Sequence, residues 1–454
     1  MKIMVSGATG FIGKELIKKL NKKGHEISVL TRNPETARFH IPAHCNIHLW
    51  NPEKYGLAPS VLKDVDAIIN LAGEGIADRH WSPERKRKIL KSRVLSTRRL
   101  VEAMTYMDKK PDVFVSASAI GFYGNRGEEF LSETQYKGRG FLSDVCQKWE
   151  DEIFKAKNIG VRTVACRIGM VLGHDGGALN KMLPPFKLGV GGKLGNGSHW
   201  MSWIHVHDLV NMLINAVENS SMDGVYNAVA PHPVRNKEFT STLGKILKRP
   251  TLFTIPGFGL KVGLGELSNL LLDSQRVLAK KVMNTGFEFQ YPHLEEALQE
   301  ICDHTYHEIN MVQWVPQPVN RTFSFFKEAR NLEKITPKFL NFKVLDQSTP
   351  EICEGTKINY SLSLHGLPMR WQSKITDWKP GRRFSDIQVK GPYNHWHHSH
   401  EFEEKNGGTL IKDRVLYRVP FGLPGDLIAG WLIKKDLEQI FNYRYKVIDT
   451  LMAH

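Results

Sequence analysis

The chain has 454 residues, of which 41% are hydrophobic and 24% charged. That composition belongs to a soluble globular protein of two or three domains, and it excludes a disordered chain and a disulfide-stapled miniprotein. The net charge of +15 is spread along the chain without a basic tail, so nucleic acid is not an expected partner. Five cysteines lie far apart with no CxxC pair, which fits a reducing cytoplasm rather than a disulfide framework or a zinc ribbon.

Met1-Lys2 runs directly into the strand Ile3–Ser6, so no signal peptide is expected. Phe11–Lys22 has a helical pattern, Gly24 makes a turn, and Glu26–Thr31 is the second strand. Ala67–Leu71 is a buried strand. A basic helix follows, opened by Ser82-Pro83 as N-cap and first-turn pair. Between Arg79 and Arg99 it carries nine basic residues against Glu84, and a solvated helix face is favoured over an anion-binding one. Val113–Ala117, Val161–Val171, the short Trp203–Val206 and Val225–Ala228 are further strands, with Asp208 capping the helix Leu209–Val217. The alternation of strand and helix gives a parallel sheet with right-handed crossovers. The most apolar long stretch, Leu252 to Leu272, contains Lys261, Glu266, Gly and Pro. It is expected to be core helix, not a membrane span.

Within this pattern, Gly7-Ala8-Thr9-Gly10-Phe11-Ile12-Gly13 follows a strand and opens a helix. Gly7 makes the tight turn, Gly10 lets a pyrophosphate approach, and Gly13 lets helix and strand pack closely. The helix N-terminus offers free N–H groups to phosphate. At the end of the second strand an NAD site wants an acid, but Thr31-Arg32 stands there. A guanidinium grips a 2′-phosphate with paired hydrogen bonds, so NADP is the expected cofactor, with NAD as the alternative.

GATGFIG, Asn70-Leu71-Ala72-Gly73 and Ser116-Ala117-Ser118 ahead of Tyr123-Gly124 resemble the extended, epimerase-like branch of the short-chain dehydrogenase/reductases. Trp81-Ser82-Pro83-Glu84-Arg85-Lys86, Gly191–Gly195 and Trp200–His205 narrow the resemblance to an atypical NAD(P)-dependent epimerase family. Members of that family carry a small C-terminal domain of unknown function (DUF1731-like), which Ser274-Gln275-Arg276-Val277, Gly286-Phe287-Glu288-Phe289 and Tyr291-Pro292 through Ala297-Leu298 also resemble. The resemblance implies a doubly wound Rossmann fold over residues 1–305, with a substrate-side subdomain at about 174–303. It also implies that Gly7, Thr9, Gly10, Phe11, Ile12, Gly13, Thr31, Arg32, Leu71, Ala72 and Gly73 bind the cofactor.

The family's chemistry uses Ser, Tyr and Lys, with Tyr and Lys four apart on one helix. Here the segment Gly140–Glu150 lacks the pair: Phe141 or Leu142 stands for Tyr, and Val145 or Cys146 for Lys. Ser118 keeps the substrate-orienting place. Tyr123 and Glu74, both just past strand ends, are the candidate acid/base groups.

Between residues 300 and 325 the pattern changes: a connecting segment with Pro316 and Pro318 is followed by a meander, Lys357–Leu364, Arg370–Trp378, Arg383–Val389, His395–Glu403 and Thr409–Tyr417, separated by Gly/Pro turns. A final helix runs from about Gly425 to Met452. Asn331–Pro337, Trp378–Phe384, Gly391-Pro392-Tyr393 and Val419-Pro420-Phe421-Gly422 resemble the START-like, Bet v 1-like (SRPBCC, polyketide cyclase/dehydrase) superfamily. That resemblance implies an α+β helix-grip domain over 306–454 with an apolar ligand cavity. In His395–Phe402, strand alternation puts Trp396, His398, His400 and Phe402 on one face. Two histidines two apart are zinc-ligand types, but no third ligand is visible in the sequence, so no metal is expected and the histidines are read as pocket-lining or hydrogen-bonded.

The expected function is an NADP-dependent oxidoreductase or epimerase acting on a small carbonyl or hydroxyl compound, with a fused apolar-ligand domain; a homodimer is compatible. The alternative is an inactive NADP-binding regulator or redox sensor.

Overall fold

The computed structural model describes residues 1–174, 176–303, 306–419 and 430–453, without the side chains of residues 430 and 431. The chain divides into two compact units, Met1–Ala37 with Cys45–Asp303, and Arg38–His44 with His304–His454.

The first unit is built on strands β1 (Lys2–Ser6), β2 (Glu26–Thr31), β3 (Asn46–Leu49), β4 (Ala67–Asn70), β5 (Val113–Ala119), β6 (Arg162–Ile168) and β7 (Gly224–Ala228). All pair in parallel, in the order β3-β2-β1-β4-β5-β6-β7. The order reverses between β1 and β4, and open α/β sheets bind ligands in the crevice that such a reversal creates. Central strands read as continuous apolar runs because helices cover both faces; Ile3, Met4, Val5, Ile68 and Ile69 are all inaccessible to solvent. The main crossover helices are α1 (Phe11–Lys22), α2 (Pro83–Thr105), α3 (Phe141–Ile153) and α4 (Val206–Glu218). Ser82 caps α2, its hydroxyl accepting the Arg85 N–H at 3.2 Å.

Three expectations for this unit change. The strand expected over Val161–Val171 is two strands, β6 and Met170–Leu172, and the latter pairs with Trp203–His205. The break falls at Gly169, where a Cβ would stand 2.7 Å from the Ser202 carbonyl oxygen. Asp208 is not the cap of α4. His205 is, its Nδ1 accepting from the His207 N–H, while Asp208 in the first turn accepts the N–H groups of Gln290 and Tyr291 at 2.7 and 2.9 Å. The 252–272 stretch is not core helix. It forms a strand, Phe253–Ile255, and a helix, Gly257–Leu264, with no buried residue in either. Pro256 and Gly265 confine that helix to eight residues. No described helix is long and apolar enough to cross a membrane.

The second unit is an antiparallel sheet of β8 (His307–Val315), β9 (Lys343–Gln347), β10 (Lys357–Leu364), β11 (Leu367–Lys379), β12 (Arg383–Lys390), β13 (His395–Lys405) and β14 (Gly408–Arg418), ordered β8-β14-β13-β12-β11-β10-β9. A long helix, α5 (Gly430–Met452), packs its Leu437, Phe441, Ile448 and Met452 into the core. This is a helix-grip domain. Strand β8 runs where the sequence suggested only a proline-bearing connection, and it pairs with β14 from His307 to Val315. The expected motif residues Pro420-Phe421-Gly422 and the expected start of the final helix at 425–429 lie outside the described residues.

Candidate functional site

The glycine turn sits where β1 meets α1, at the switch point of the first sheet. Gly7 has φ +76°, and a Cβ on it would stand 2.7 Å from the carbonyl carbon and oxygen of Leu71 at the end of β4. A Cβ on Gly13 would fall 2.3 Å from the Gly7 oxygen. Both glycines are therefore required by packing. At Gly10 the Gly7 oxygen, 3.3 Å away, is the one atom a Cβ would meet within 4 Å. Thr9 and Gly10 are exposed. The first-turn N–H groups of α1 thus open onto a surface a ligand can reach. Arg32, at the end of β2, is exposed. The ring of Phe11 is clasped by Gly173, Gly176 and Gly177, each within 3.0 Å of it if given a Cβ.

Beneath this turn lies a polar cluster that pattern reasoning did not find. Ser6 donates to Asn70 Oδ1 at 2.6 Å, and the Asn70 amide donates to Thr97 and Ser116 at 3.0 and 3.1 Å. The Trp149 indole donates to Thr97 at 2.9 Å. These bonds tie the C-terminal ends of β1, β4 and β5 to α2 and α3.

A second buried network holds the candidate catalytic residues. The Ser118 hydroxyl donates to Glu150 Oε1 at 2.6 Å. Arg167 grips the same carboxylate with two bonds, Nε to Oε1 at 2.9 Å and Nη2 to Oε2 at 2.8 Å. Its third nitrogen donates to the Tyr123 hydroxyl at 2.9 Å. Tyr123 in turn donates to Asn227 Oδ1 at 2.7 Å. Ser118, Tyr123, Glu150 and Arg167 are all buried, and Arg167 stacks its guanidinium 3.4 Å from the centre of the Phe122 ring. Burial raises the Tyr123 pKa, with Arg167 opposing it. Burial works against the Arg167 charge, but bonds to Glu150 more than offset it and raise the guanidinium's pKa. Sequence reasoning missed Glu150, Arg167 and Asn227; the available signal was an arginine inside the buried strand Val164-Ala165-Cys166-Arg167-Ile168.

Glu74 is not part of that network. It is half-buried beside Arg85, Oε1 to Nη1 at 2.5 Å, and its N–H donates to Ser92. Cys146, one of the two positions where the family's lysine would fall, is buried, and burial pushes its thiol up to about 12, away from the reactive thiolate. The basic helix is largely self-compensated. Arg85, Lys86, Lys88, Arg98 and Arg99 pair with Glu74, Glu266, Glu84, Glu152 and Glu102, and Arg93 lies half-buried over Trp149. Farther along the same unit, Gln275 donates to the carbonyls of Ile120 and Gly124 just past β5, both at 3.1 Å, and the Arg276 guanidinium lies between the rings of Phe130 and Trp200.

In the second unit, Phe323, Phe326, Phe384 and Phe402 pack ring against ring. A groove of about 830 Å³ is lined by Phe323, Lys327, Ile352, Cys353 and Trp378.

Three family models match in succession. The NAD dependent epimerase/dehydratase family covers residues 3–228, a domain of unknown function (DUF1731) covers 255–301, and polyketide cyclase/dehydrase and lipid transport covers 315–442. The "epimerase family protein SDR39U1 homolog, chloroplastic" of Arabidopsis thaliana is 41% identical over 303 residues, 66% of this chain and 86% of that protein. The Bacillus subtilis epimerase family protein YfhF is 38% identical over 303 residues, 66% of this chain and 98% of its own length. The crystal structure of human epimerase family protein SDR39U1 with NADPH superposes with a TM-score of 0.60 at 32% identity, over 67% of this chain and all of that one. UDP-glucose 4-epimerase of Thermus thermophilus, at 18% identity and a TM-score of 0.55, shares the fold. With its glycine turn at the switch point of a β3-β2-β1-β4-β5-β6-β7 sheet, the chain belongs to the NAD dependent epimerase/dehydratase family.

Proposed function

We propose that the first unit is an NADP-dependent oxidoreductase or epimerase acting on a small carbonyl or hydroxyl compound. The observation that carries this is the open helix N-terminus at Gly10, with an exposed arginine at the end of the neighbouring strand. Gly7, Thr9, Gly10, Phe11, Ile12 and Gly13 would cradle the pyrophosphate. Thr31 and Arg32 would take the adenosine ribose and its 2′-phosphate. Leu71, Ala72 and Gly73 would line the far side. When bound, the nicotinamide supplies hydride transfer. The human relative solved with NADPH supports the same choice of cofactor.

On the protein side, Ser118 would orient the substrate oxygen and take its proton while passing its own toward Glu150, which Arg167 grips with two hydrogen bonds and holds in place. Tyr123 would anchor Arg167, its hydroxyl already being spent on that contact and on Asn227. Glu74 would be the outer acid/base group. The test is a titration with NADPH and NADH of wild type and Arg32→Asp, followed by a carbonyl and sugar-nucleotide substrate panel. Tight NADPH binding that Arg32→Asp turns toward NADH supports the reading; binding of neither cofactor overturns it.

One observation favours the second reading, a cofactor-binding regulator without turnover: α3 presents Phe141, Leu142, Val145 and Cys146 where the family's proton-transfer pair would stand. Binding without turnover on any panel member would select it. For the second unit, the groove beside Phe323, Ile352 and Trp378 is the proposed seat of an apolar ligand. Trp378 fluorescence on adding a fatty acyl or aromatic probe tests it, and an unchanged signal rejects it.

A further inference from the structure

Strand pairing in the second unit brings four ionisable side chains from three strands together in its interior. Asp386 on β12 is the cross-strand neighbour of His398 on β13, and His400, two residues on, is the neighbour of Asp413 on β14. Strand alternation sends both imidazoles to the same inner face, where they are buried. The rings lie 4.0 Å apart, between the two carboxylates.

The arrangement has two unequal sides. On one, Asp386 Oδ1 is 3.4 Å from His398 Nδ1 and 3.9 Å from His400 Nε2. One ligand atom from each of the three residues lies within 4.8 Å of the others. Tetrahedral coordination with bonds of about 2.0–2.2 Å sets donor atoms about 3.4 Å apart, so the first edge fits as it stands and the second needs about 0.5 Å of closure. On the other side, Asp413 Oδ1 sits 2.5 Å from His400 Nδ1. A proton held there by Asp413 leaves Nε2, on the Asp386 side, as the nitrogen that would bind an ion once its own proton is displaced. A carboxylate behind a histidine is the usual support of a metal-bound imidazole. Asp386 is braced too: its Oδ2 accepts the Trp396 indole N–H at 3.3 Å, which leaves Oδ1 as the inward oxygen. His398 Nε2 is buried without a hydrogen-bond partner, 3.8 Å from Asp413 Oδ1, and Nδ1 is the nitrogen this ring offers on the Asp386 side. Phe384 stacks on His400 at 4.5 Å, Phe441 meets His398 edge-on at 5.4 Å, and the Arg444 guanidinium, 5.0 Å from the Phe441 ring, is a cation that faces both carboxylates.

We propose that Asp386, His398 and His400 bind a divalent transition-metal ion, with Asp413 and Trp396 holding the ligands from behind. The donor set of two imidazoles and one carboxylate suits zinc, cobalt or ferrous iron; calcium and magnesium take oxygen ligands. The ion would clamp β12 to β13, and its charge would be met by the carboxylates of Asp386 and Asp413. The cluster of His205, His207 and Glu300 in the first unit is a useful contrast. There both His205 nitrogens are already engaged, Nε2 with Glu300 at 3.0 Å and Nδ1 with the His207 N–H, so that ring has no free lone pair to offer.

The experiment uses the full chain, stripped with a chelator and titrated with cobalt(II). One equivalent should bind, with the intense visible bands of low-symmetry cobalt, and zinc should displace it. His398→Gln and Asp386→Asn should abolish the bands. Asp413→Asn, which keeps all three ligands, should weaken zinc binding by about 10–100-fold. His207→Ala should leave the spectrum unchanged. Because ligand variants can fail to fold, the wild type provides a second readout, a rise in unfolding temperature with zinc but not with magnesium. No stoichiometric cobalt uptake by wild type, or uptake that survives both ligand substitutions, overturns the site. A spectrum lost in His207→Ala would place the metal in the other cluster and overturn it equally.

Discussion

At the scale of single residues, the first unit separates groups that recognise from groups that hold. Arg32 is exposed with a free reach, and its expected contribution is a charge-assisted bond to a 2′-phosphate, worth about 1.5–3 kcal/mol. Arg32→Asp should therefore weaken NADPH binding by about 10–100-fold while NADH binding holds or improves, as read by calorimetry. Glu150 is the opposite kind of residue. It is 4% exposed and carries the whole charge of Arg167. Glu150→Gln strands a buried guanidinium and should cost about 3–5 kcal/mol in urea unfolding. Ser118→Ala removes one bond to the same carboxylate and should cost about 0.5–1.5 kcal/mol, with any larger loss confined to turnover. None of this partnering could be read along the chain, because Ser118, Glu150 and Arg167 lie on three different elements. The types were visible; the pairing was not.

At the scale of elements, local signals were strong wherever one residue type alone meets a backbone need. The first helix and second strand lie at their expected residues, Phe11–Lys22 and Glu26–Thr31, because the glycine turn and Gly24 punctuate them. Gly13→Ala should abolish cofactor binding and destabilise the unit by about 1–3 kcal/mol, since its Cβ would overlap the Gly7 carbonyl; binding and thermal unfolding measure both effects. Ser82→Ala should cost about 1 kcal/mol through the lost cap of α2, with no effect on cofactor affinity. Elements were missed where context overrode the local pattern. Strand β8 precedes two prolines and reads as a linker, yet its full-length pairing with β14 makes it a strand. Asp208 reads as a cap, but two backbone N–H groups some eighty residues away claim its carboxylate.

At the scale of the whole molecule, relatives that are matched over nearly their entire length cover 66% of this chain, so the first unit stands as a protein in its own right elsewhere. Residues 1–303 expressed alone should fold and keep NADPH affinity within about threefold, a difference of some 0.65 kcal/mol. A loss of binding in that fragment would show that the second unit completes the site. The sequence by itself determined the two architectures, the glycine cradle and the absence of the Tyr-x-x-x-Lys pair. Each of these is written in residues close together in the chain, where spacing maps directly onto helix turn or strand pleat. Tertiary structure alone decided which polar groups meet. It joined Ser118 to Glu150, Arg167 and Tyr123, and it supplied the third ligand, Asp386, to a histidine pair that the strand pattern left incomplete. Register between strands and the packing of helices on a sheet set those contacts, and neither is encoded within any one segment.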